Sequence, residues 1–342
     1  MKFFIEIGHP ANVHYFKNFI FKMQEIDHTV VVIARDSDVT FSLLENYGID
    51  YISRGKGKKS LFGKLMYLIV VSLKLLSLTL KEKPDFHISM SSPYAFLSSF
   101  FSKTKYIVFD DTEVGKFEQS IYKRYADEIL TPVFFQKTIN HKHKKFNGFM
   151  ELFYLHPQVF KPSKEIFSVL GINETTRFVL IRLVSWEATH DINECGISKD
   201  DLCKIINLCE EQGMKVYISS QGKLDEQFTS YELKIEPHYL HDLLYNAVMY
   251  IGEGATTASE CVMLGTPAVY VNSIDAGTIE EQTRSGLLFS YRNYSAESEE
   301  TIERLLKSDR TKKDYNNLRD QFLSDKLNMT DYLINLVTYY NK

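Results

Sequence analysis

Hydrophobic positions along the chain fall into two alternating series. In the first, short apolar runs at Lys2 to Ile7, His28 to Ala34, Ile49 to Ser53, Phe86 to Ser89, Tyr106 to Phe109 and Glu128 to Thr131 read as strands separated by segments of helical spacing. From Ala11 to Glu25 the apolar residues Val13, Phe16, Ile20 and Met23 recur at helical intervals, just after a Gly8-His9-Pro10 stop. The second series places strands at Arg177 to Leu183, Lys215 to Ser219, Val248 to Ile251, Pro267 to Val271 and Leu287 to Ser290. Strands alternating with helices predict parallel sheets covered on both faces. The expected organisation is a Rossmann-like domain over 1–150, a connection over 151–176 carrying Pro157, Pro162 and Gly171, and a second Rossmann-like domain over 177–328. A last helix within 329–342 is expected to cross back onto the first domain. The fold class is α/β, two doubly wound domains facing a central cleft, with ligands at the carboxyl ends of strands.

One segment breaks the pattern. Arg54-Gly55-Lys56-Gly57-Lys58-Lys59 is followed by a mostly apolar run from Leu61 to Leu80, in which Tyr67, Lys74 and Lys81 recur every seven residues with Lys64 beside them. A narrow polar stripe of this kind suits an amphipathic helix. Two readings stay open: a mostly buried helix crossing the first sheet, or a membrane-surface patch over residues 54–80 whose basic loop meets anionic headgroups. A spanning helix is disfavoured, because the strands on either side belong to one sheet.

Composition narrows the function classes. The 342 residues carry a formal net charge of -4, which argues against a nucleic-acid partner. Cys195, Cys203, Cys209 and Cys261 show neither a C-x-x-C pair nor a His-rich ligand cluster, as expected of reduced thiols in a cytoplasmic protein. The first strand starts directly after Met1, so no cleavable export signal is expected. The expected location is the cytoplasm, peripheral to the inner face of the cell membrane if the basic, apolar segment is a surface patch.

The candidate chemistry centres on Gly252-Glu253-Gly254-Ala255-Thr256-Thr257-Ala258-Ser259-Glu260, followed after Leu264 by Gly265-Thr266-Pro267. The pattern reads as strand, glycine turn, helix, glycine turn, strand, with Gly254 allowing a sharp turn into a helix that begins near Thr256. Such a helix start aims bare N–H groups and a positive dipole end at a phosphate. Thr257 and Glu260, three residues apart, share a helix face, one suited to a diphosphate and the other to ribose hydroxyls.

This string resembles the donor-binding motif of GT-B glycosyltransferases, notably the N-acetylglucosaminyltransferase that makes lipid II. It is also related to the motif of the hydrolysing UDP-N-acetylglucosamine 2-epimerases. The chain is further similar to the family numbered 354 among domains of unknown function. That likeness rests on Gly8-His9-Pro10-Ala11-Asn12-Val13-His14-Tyr15-Phe16-Lys17-Asn18, Phe109-Asp110-Asp111-Thr112-Glu113, Tyr154-Leu155-His156-Pro157, Arg182-Leu183-Val184-Ser185-Trp186 and the string from Gly252. The resemblance implies that Gly252, Gly254, Ala255, Thr256 and Thr257 hold a donor diphosphate and that Glu260 receives the ribose. Arg182, Ser185, Ser220, Gln221 and the stretch from His238 to His241 would line the donor site. For Arg182 a structural ion pair is an equal alternative, and Trp186, a single aromatic, reads more readily as packing than as a sugar platform.

A transfer reaction also needs a group to take the acceptor proton. His9 and His14, in and after the first β-α turn, and Asp110, Asp111 and Glu113, after a later strand, are the candidates. Turn stabilisation competes for His9, local hydrogen bonding for His14 and helix capping for one of the acids. His190-Asp191 and the His141/His143 pair lack a clear third ligand and read as solvated loops; no metal and no cofactor is expected. The expected activity is transfer of a sugar from a nucleotide diphosphate, UDP by resemblance, to a saccharide or lipid-linked acceptor of an envelope or surface polysaccharide. Alternatives are a hydrolysing 2-epimerase of NDP-N-acetylhexosamines and a non-catalytic nucleotide-sugar-binding protein.

Overall fold

The computed structural model describes residues 1–58, 60–112, 115–184, 196–273 and 277–340. Two compact units emerge: Met1–Val159 with Lys326–Lys342, and Phe160–Asp325.

Unit 1 alternates β1 (Lys2–Ile7), α1 (Pro10–Glu25), β2 (Thr29–Ala34), α2 (Asp38–Asn46), β3 (Tyr51–Ser53), α3 (Leu61–Glu82), β4 (Phe86–Met90), α4 (Phe96–Phe101), β5 (Lys105–Phe109), α5 (Lys116–Tyr125), β6 (Glu128–Pro132) and β7 (His143–Phe146). All strands run parallel in the order β3-β2-β1-β4-β5-β6-β7. Phe3, Phe4, Ile5 and Ile7 of β1 are all fully buried, as a sheet covered on both faces requires. Pro10 starts α1 where its missing N–H costs nothing. The C-terminal segment belongs to this unit: Leu327 N donates to Asn147 O at 2.9 Å and Thr330 Oγ1 to Phe153 O at 2.7 Å.

Two expectations need correction here. The His141/His143 stretch is not all solvated loop, because His143 opens β7. There His143 Nδ1 accepts from Ile139 N at 3.2 Å, and Nε2 lies 2.7 Å from Thr131 Oγ1. A short edge strand rich in Lys has no continuous apolar run to betray it. The second correction concerns α3, which is not a mostly buried helix. Val71, Ser72, Leu75 and Thr79 are its buried residues, with Val71 and Leu75 packed against Phe4 and Ile33. Two residues of the polar stripe are tied to the protein: Tyr67 Oη donates to Gly55 O at 2.9 Å and Lys74 Nζ to Ser53 O.

Unit 2 contains α6 (Glu165–Val169), β8 (Phe178–Leu183), α7 (Lys199–Glu211), β9 (Lys215–Ser220), α8 (Leu240–Asn246), β10 (Met249–Gly252), α9 (Ala255–Leu264), β11 (Ala268–Val271), α10 (Gly277–Thr283), β12 (Leu288–Tyr291), α11 (Ala296–Leu306) and α12 (Lys312–Leu323). Its parallel strands follow the order β12-β11-β10-β8-β9. Helix α9 closes on Gly265 at φ 65, a left-handed conformation that glycine adopts without penalty. The last helix, α13 (Met329–Tyr339), returns the chain to unit 1.

Candidate functional site

In unit 2 the strand order reverses between β8 and β10. The chain leaves these neighbouring strands toward opposite sides, which opens a crevice at their carboxyl ends. Gly252, the last residue of β10, pairs with Arg182 on β8. A Cβ at Gly252 would fall 2.3 Å from the Arg182 carbonyl oxygen, so only glycine permits this approach. Gly254, by contrast, sits at φ -87 and ψ 108, an extended conformation open to any residue. The expectation that Gly254 supplies the sharp turn is therefore corrected: the demand for glycine falls on Gly252. At Gly254 the small residue leaves room for the Tyr250 hydroxyl, which donates to its carbonyl and accepts from its N–H, each at 3.2 Å.

Helix α9 begins at Ala255, one residue before the expected Thr256, and its first turn has no side-chain cap. The N–H groups of Ala255, Thr256 and Thr257 thus point toward the sheet edge with the positive end of the helix dipole. Arg182 stands beside them. Its Nη1 lies 3.3 Å from Ser219 Oγ, and no ion pair engages it among the described residues. The ion-pair alternative for Arg182 is not realised among the described residues, and a guanidinium next to a bare helix start is the combination that favours an anion.

Glu253 serves the scaffold of this crevice. Its carboxylate accepts from Val184 N and from Ile197 N, both at 2.7 Å, and so pins the chain leaving β8 to the chain entering α7. Its carbonyl accepts from Asn272 Nδ2 at 2.8 Å. Ser220 and Gln221 extend the end of β9: Gln221 N donates to Leu183 O at 3.1 Å and Ser220 Oγ accepts from Gly222 N at 3.2 Å. Glu260 is buried, with its carboxylate 3.1 Å from His241 Nε2 on α8. His238 lies in a short helical turn with its ring 4.0 Å from that of Tyr239, and its Nδ1 is buried with no hydrogen-bond partner among the described residues. Ser185 and Trp186 lie outside the described residues, as do His190 and Asp191.

The corresponding reversal in unit 1 falls between β1 and β4. It is filled by an ionic cluster that sequence reasoning missed. Glu6, fully inside β1, pairs with Arg54, lies 3.1 Å from His87 Nε2 and accepts from Ser92 Oγ at 2.7 and 2.8 Å. Burial alone would raise the Glu6 carboxyl, but Arg54, His87 and Ser92 outweigh it and hold it below the usual carboxylate range. The signal in the sequence was a lone acid inside an apolar strand, which must find a partner. Arg54 is accordingly buried, with its guanidinium 4.5 Å from the Tyr94 ring centroid, and is not a headgroup contact.

His9 caps α1. Its Nδ1 accepts from Ala11 N at 3.2 Å, while Asn12 Oδ1 accepts from His9 N at 3.0 Å. An Nδ1 that accepts carries no proton, which leaves the proton on Nε2 in the neutral ring. Burial and the Arg35 charge lower the His9 pKa even though part of the ring meets solvent. The turn-stabilising alternative for His9 is thus present in the structure. His14 is buried, stacked on Tyr154 at 5.4 Å and 3.4 Å from Tyr47 Oη through Nδ1, a packed position.

The acids after β5 separate. Asp110 is buried and accepts from Ser91 Oγ at 2.7 Å, Thr112 N at 3.0 Å, Gln119 Nε2 at 3.3 Å and Tyr122 Oη at 2.5 Å. Its oxygens are occupied by these donors, so it anchors the turn after β5. Asp111 is different. Crowding by protein and the adjacent Asp110 carboxylate push it up to about 6, although the side chain keeps solvent access. Glu113 lies outside the described residues.

A family model described as Protein of unknown function (DUF354) matches residues 1–331. The chain belongs to the DUF354 family. Both sheet edges described above, and every motif on which the resemblance rests, lie inside the matched span. No curated protein sequence matches this DUF354 chain. Among solved structures, UDP-GlcNAc 2-epimerase from Methanocaldococcus jannaschii is similar at TM-score 0.69 and 11% identity, covering 99% of this chain and 100% of the other. UDP-GlcNAc 2-epimerase from Neisseria meningitidis bound to UDP-GlcNAc is similar at TM-score 0.66 and 12% identity, covering 99% and 100%. The glycosyltransferase VinC in complex with DTDP is similar at TM-score 0.63 and 11% identity, covering 99% of each chain. The DUF354 chain thus has the α/β GT-B fold, two helix-flanked parallel sheets matched along its whole length.

Proposed function

We propose that the protein is a nucleotide-sugar enzyme that binds the diphosphate of its donor, expected to be UDP-linked, at the β8–β10 edge of unit 2. The observation that carries this reading is the combination at that edge: an uncapped α9 start, a glycine-only approach at Gly252 and the guanidinium of Arg182. Each supplies what a diphosphate needs, respectively N–H donors, backbone access and a compensating charge. Structures of similar fold are described with UDP, UDP-GlcNAc or DTDP bound, which supports a nucleoside diphosphate over other anions. Transfer of the sugar to a saccharide or lipid-linked acceptor of an envelope polysaccharide is the reaction proposed. Asp111 is its proton acceptor and His9 a hydrogen-bond donor to the substrate.

The test is calorimetric titration with UDP. Wild type should bind, and Arg182→Gln should weaken binding about tenfold to a hundredfold, the worth of a charge-assisted hydrogen bond. Absence of UDP binding, or unchanged affinity in the variant, would sink the assignment. One observation favours 2-epimerisation as a second reading. A carboxyl pushed up to about 6, as Asp111 is, can both give and take a proton near neutrality. Proton NMR of UDP-N-acetylglucosamine with enzyme and no acceptor separates the two: a new free sugar selects epimerisation, whereas an inert donor leaves transfer favoured.

A further inference from the structure

Helix α3 is amphipathic in the wrong sense for a protein bathed only in water. Its polar residues Tyr67 and Lys74 bond back to the carbonyls of Gly55 and Ser53, although Lys74 itself stays exposed. Its outward face carries Leu61, Phe62, Leu65, Met66, Ile69, Val70 and Leu73, each between 44 and 85% exposed. Helix α4, packed beside α3, adds Phe100 and Phe101 at 66 and 64% exposure. Scattered exposed hydrophobics are ordinary, but a continuous stripe of this length marks a docking surface.

Charge says what docks. From Tyr51 to Lys81 the sequence contains Arg54, Lys56, Lys58, Lys59, Lys64, Lys74 and Lys81 and no acidic residue. Arg54 is occupied by Glu6 and Lys74 by Ser53, whereas Lys56, Lys58 and Lys64 are exposed at the start of the stripe. The acid in contact with the loop, Asp36, accepts from Ser53 Oγ at 2.5 Å and from Gly55 N at 3.0 Å, so its charge is turned inward. An apolar stripe with a cationic end fits a bilayer interface, acyl chains against the Leu and Phe side chains and anionic headgroups against the lysines. Val71 and Leu75 hold the opposite face on the sheet, so α3 lies on such a surface and does not cross it.

We infer that unit 1 docks onto anionic lipid bilayers through the outward faces of α3 and α4, with Lys56, Lys58 and Lys64 at the headgroups. This does not depend on which sugar reaction the protein performs. The cationic end of the stripe lies close to Arg35: Lys58 follows Gly57, where a Cβ would fall 2.3 Å from Arg35 Nη2, and the Arg35 charge acts on His9.

The experiment is flotation of the full chain with vesicles of phosphatidylcholine alone or mixed in equal parts with phosphatidylglycerol. Wild type should float with the mixed vesicles and stay in solution with phosphatidylcholine. Lys56→Glu/Lys58→Glu/Lys64→Glu should lower partitioning by more than about fivefold per lysine, since each replacement reverses a charge. Leu65→Asn/Ile69→Asn/Leu73→Asn should lower it about a hundredfold while melting like wild type, because these side chains are already exposed. Wild type that ignores mixed vesicles overturns the inference. So does a wild-type dimer that the Asn variant converts to monomer without any vesicle binding, which would make the stripe an interface between copies. Equal flotation with both vesicle types, unaffected by the Glu substitutions, overturns headgroup recognition.

Discussion

The two sheet edges at which strand order reverses are built on the same plan and filled in opposite ways. In unit 1 the carboxyl edge between β1 and β4 is closed by the protein's own charges, Glu6 against Arg54, His87 and Ser92, all buried. In unit 2 the edge between β8 and β10 is lined by Gly252 and an uncapped helix start, and its cation Arg182 has no acid among the described residues. The same topology thus yields a sealed edge and one with an unmet positive potential.

The largest expected effect tests the sealed edge. Glu6→Ala strands Arg54 and His87 inside the fold and should cost about 3–5 kcal/mol in denaturant unfolding. Arg182→Gln should stay within about 0.5 kcal/mol of wild type, since its charge stabilises no internal partner. Equal losses in the two variants would abolish the contrast.

A middle effect sharpens the open edge. Gly252→Ala drives a methyl group to 2.3 Å from a backbone oxygen and should cost about 1–3 kcal/mol. At Gly254 the nearest atom is the Tyr250 hydroxyl at 3.3 Å, so Gly254→Ala should be milder. Thermal unfolding of the pair decides whether Gly252 is the residue that demands glycine.

The smallest expected effect concerns Asp111, whose folded pKa of about 6 lies above its ordinary 3.8. The folded state therefore holds this proton more tightly than the unfolded state, so stability falls as pH rises from 3.8 through 6. Asp111→Asn should consequently melt slightly above wild type on the alkaline side of pH 6 and with it below 3.8. If Asp111 is the proton acceptor, turnover falls as pH drops through about 6, and the variant loses activity without losing UDP affinity. A wild-type profile flat across that range would remove Asp111 from the chemistry.

Much of the fold was legible because strands buried on both faces must be apolar throughout, which is why β1 and β8 stand out as runs. Strand β7, His143–Phe146, escaped because an edge strand exposes its side chains and can be polar. The proposed anion site was half legible. A glycine-flanked turn between an apolar run and a helix located the start of α9, but φ and ψ at Gly254 and the approach at Gly252 depend on the neighbouring strand. The Glu6 cluster draws its members from β1, the loop after β3, β4 and the turn after it, a meeting that no spacing rule announces.

The order of strands and helices and the place of a phosphate-type turn were set by the chain alone, because periodicity and backbone chemistry are local. Tertiary structure decided which face of α3 meets solvent. A seven-residue repeat defines two faces, but only packing on Phe4 and Ile33, with Gly55 and Ser53 taking the polar groups, says which one turns inward. It likewise decided which charges are spent inside. Glu260 goes to His241, Asp110 to Tyr122 and Ser91, and Arg54 to Glu6, while Arg182 stands at the sheet edge with no acid beside it among the described residues. Which charges meet a counter-charge is a property of distances that a sequence does not contain.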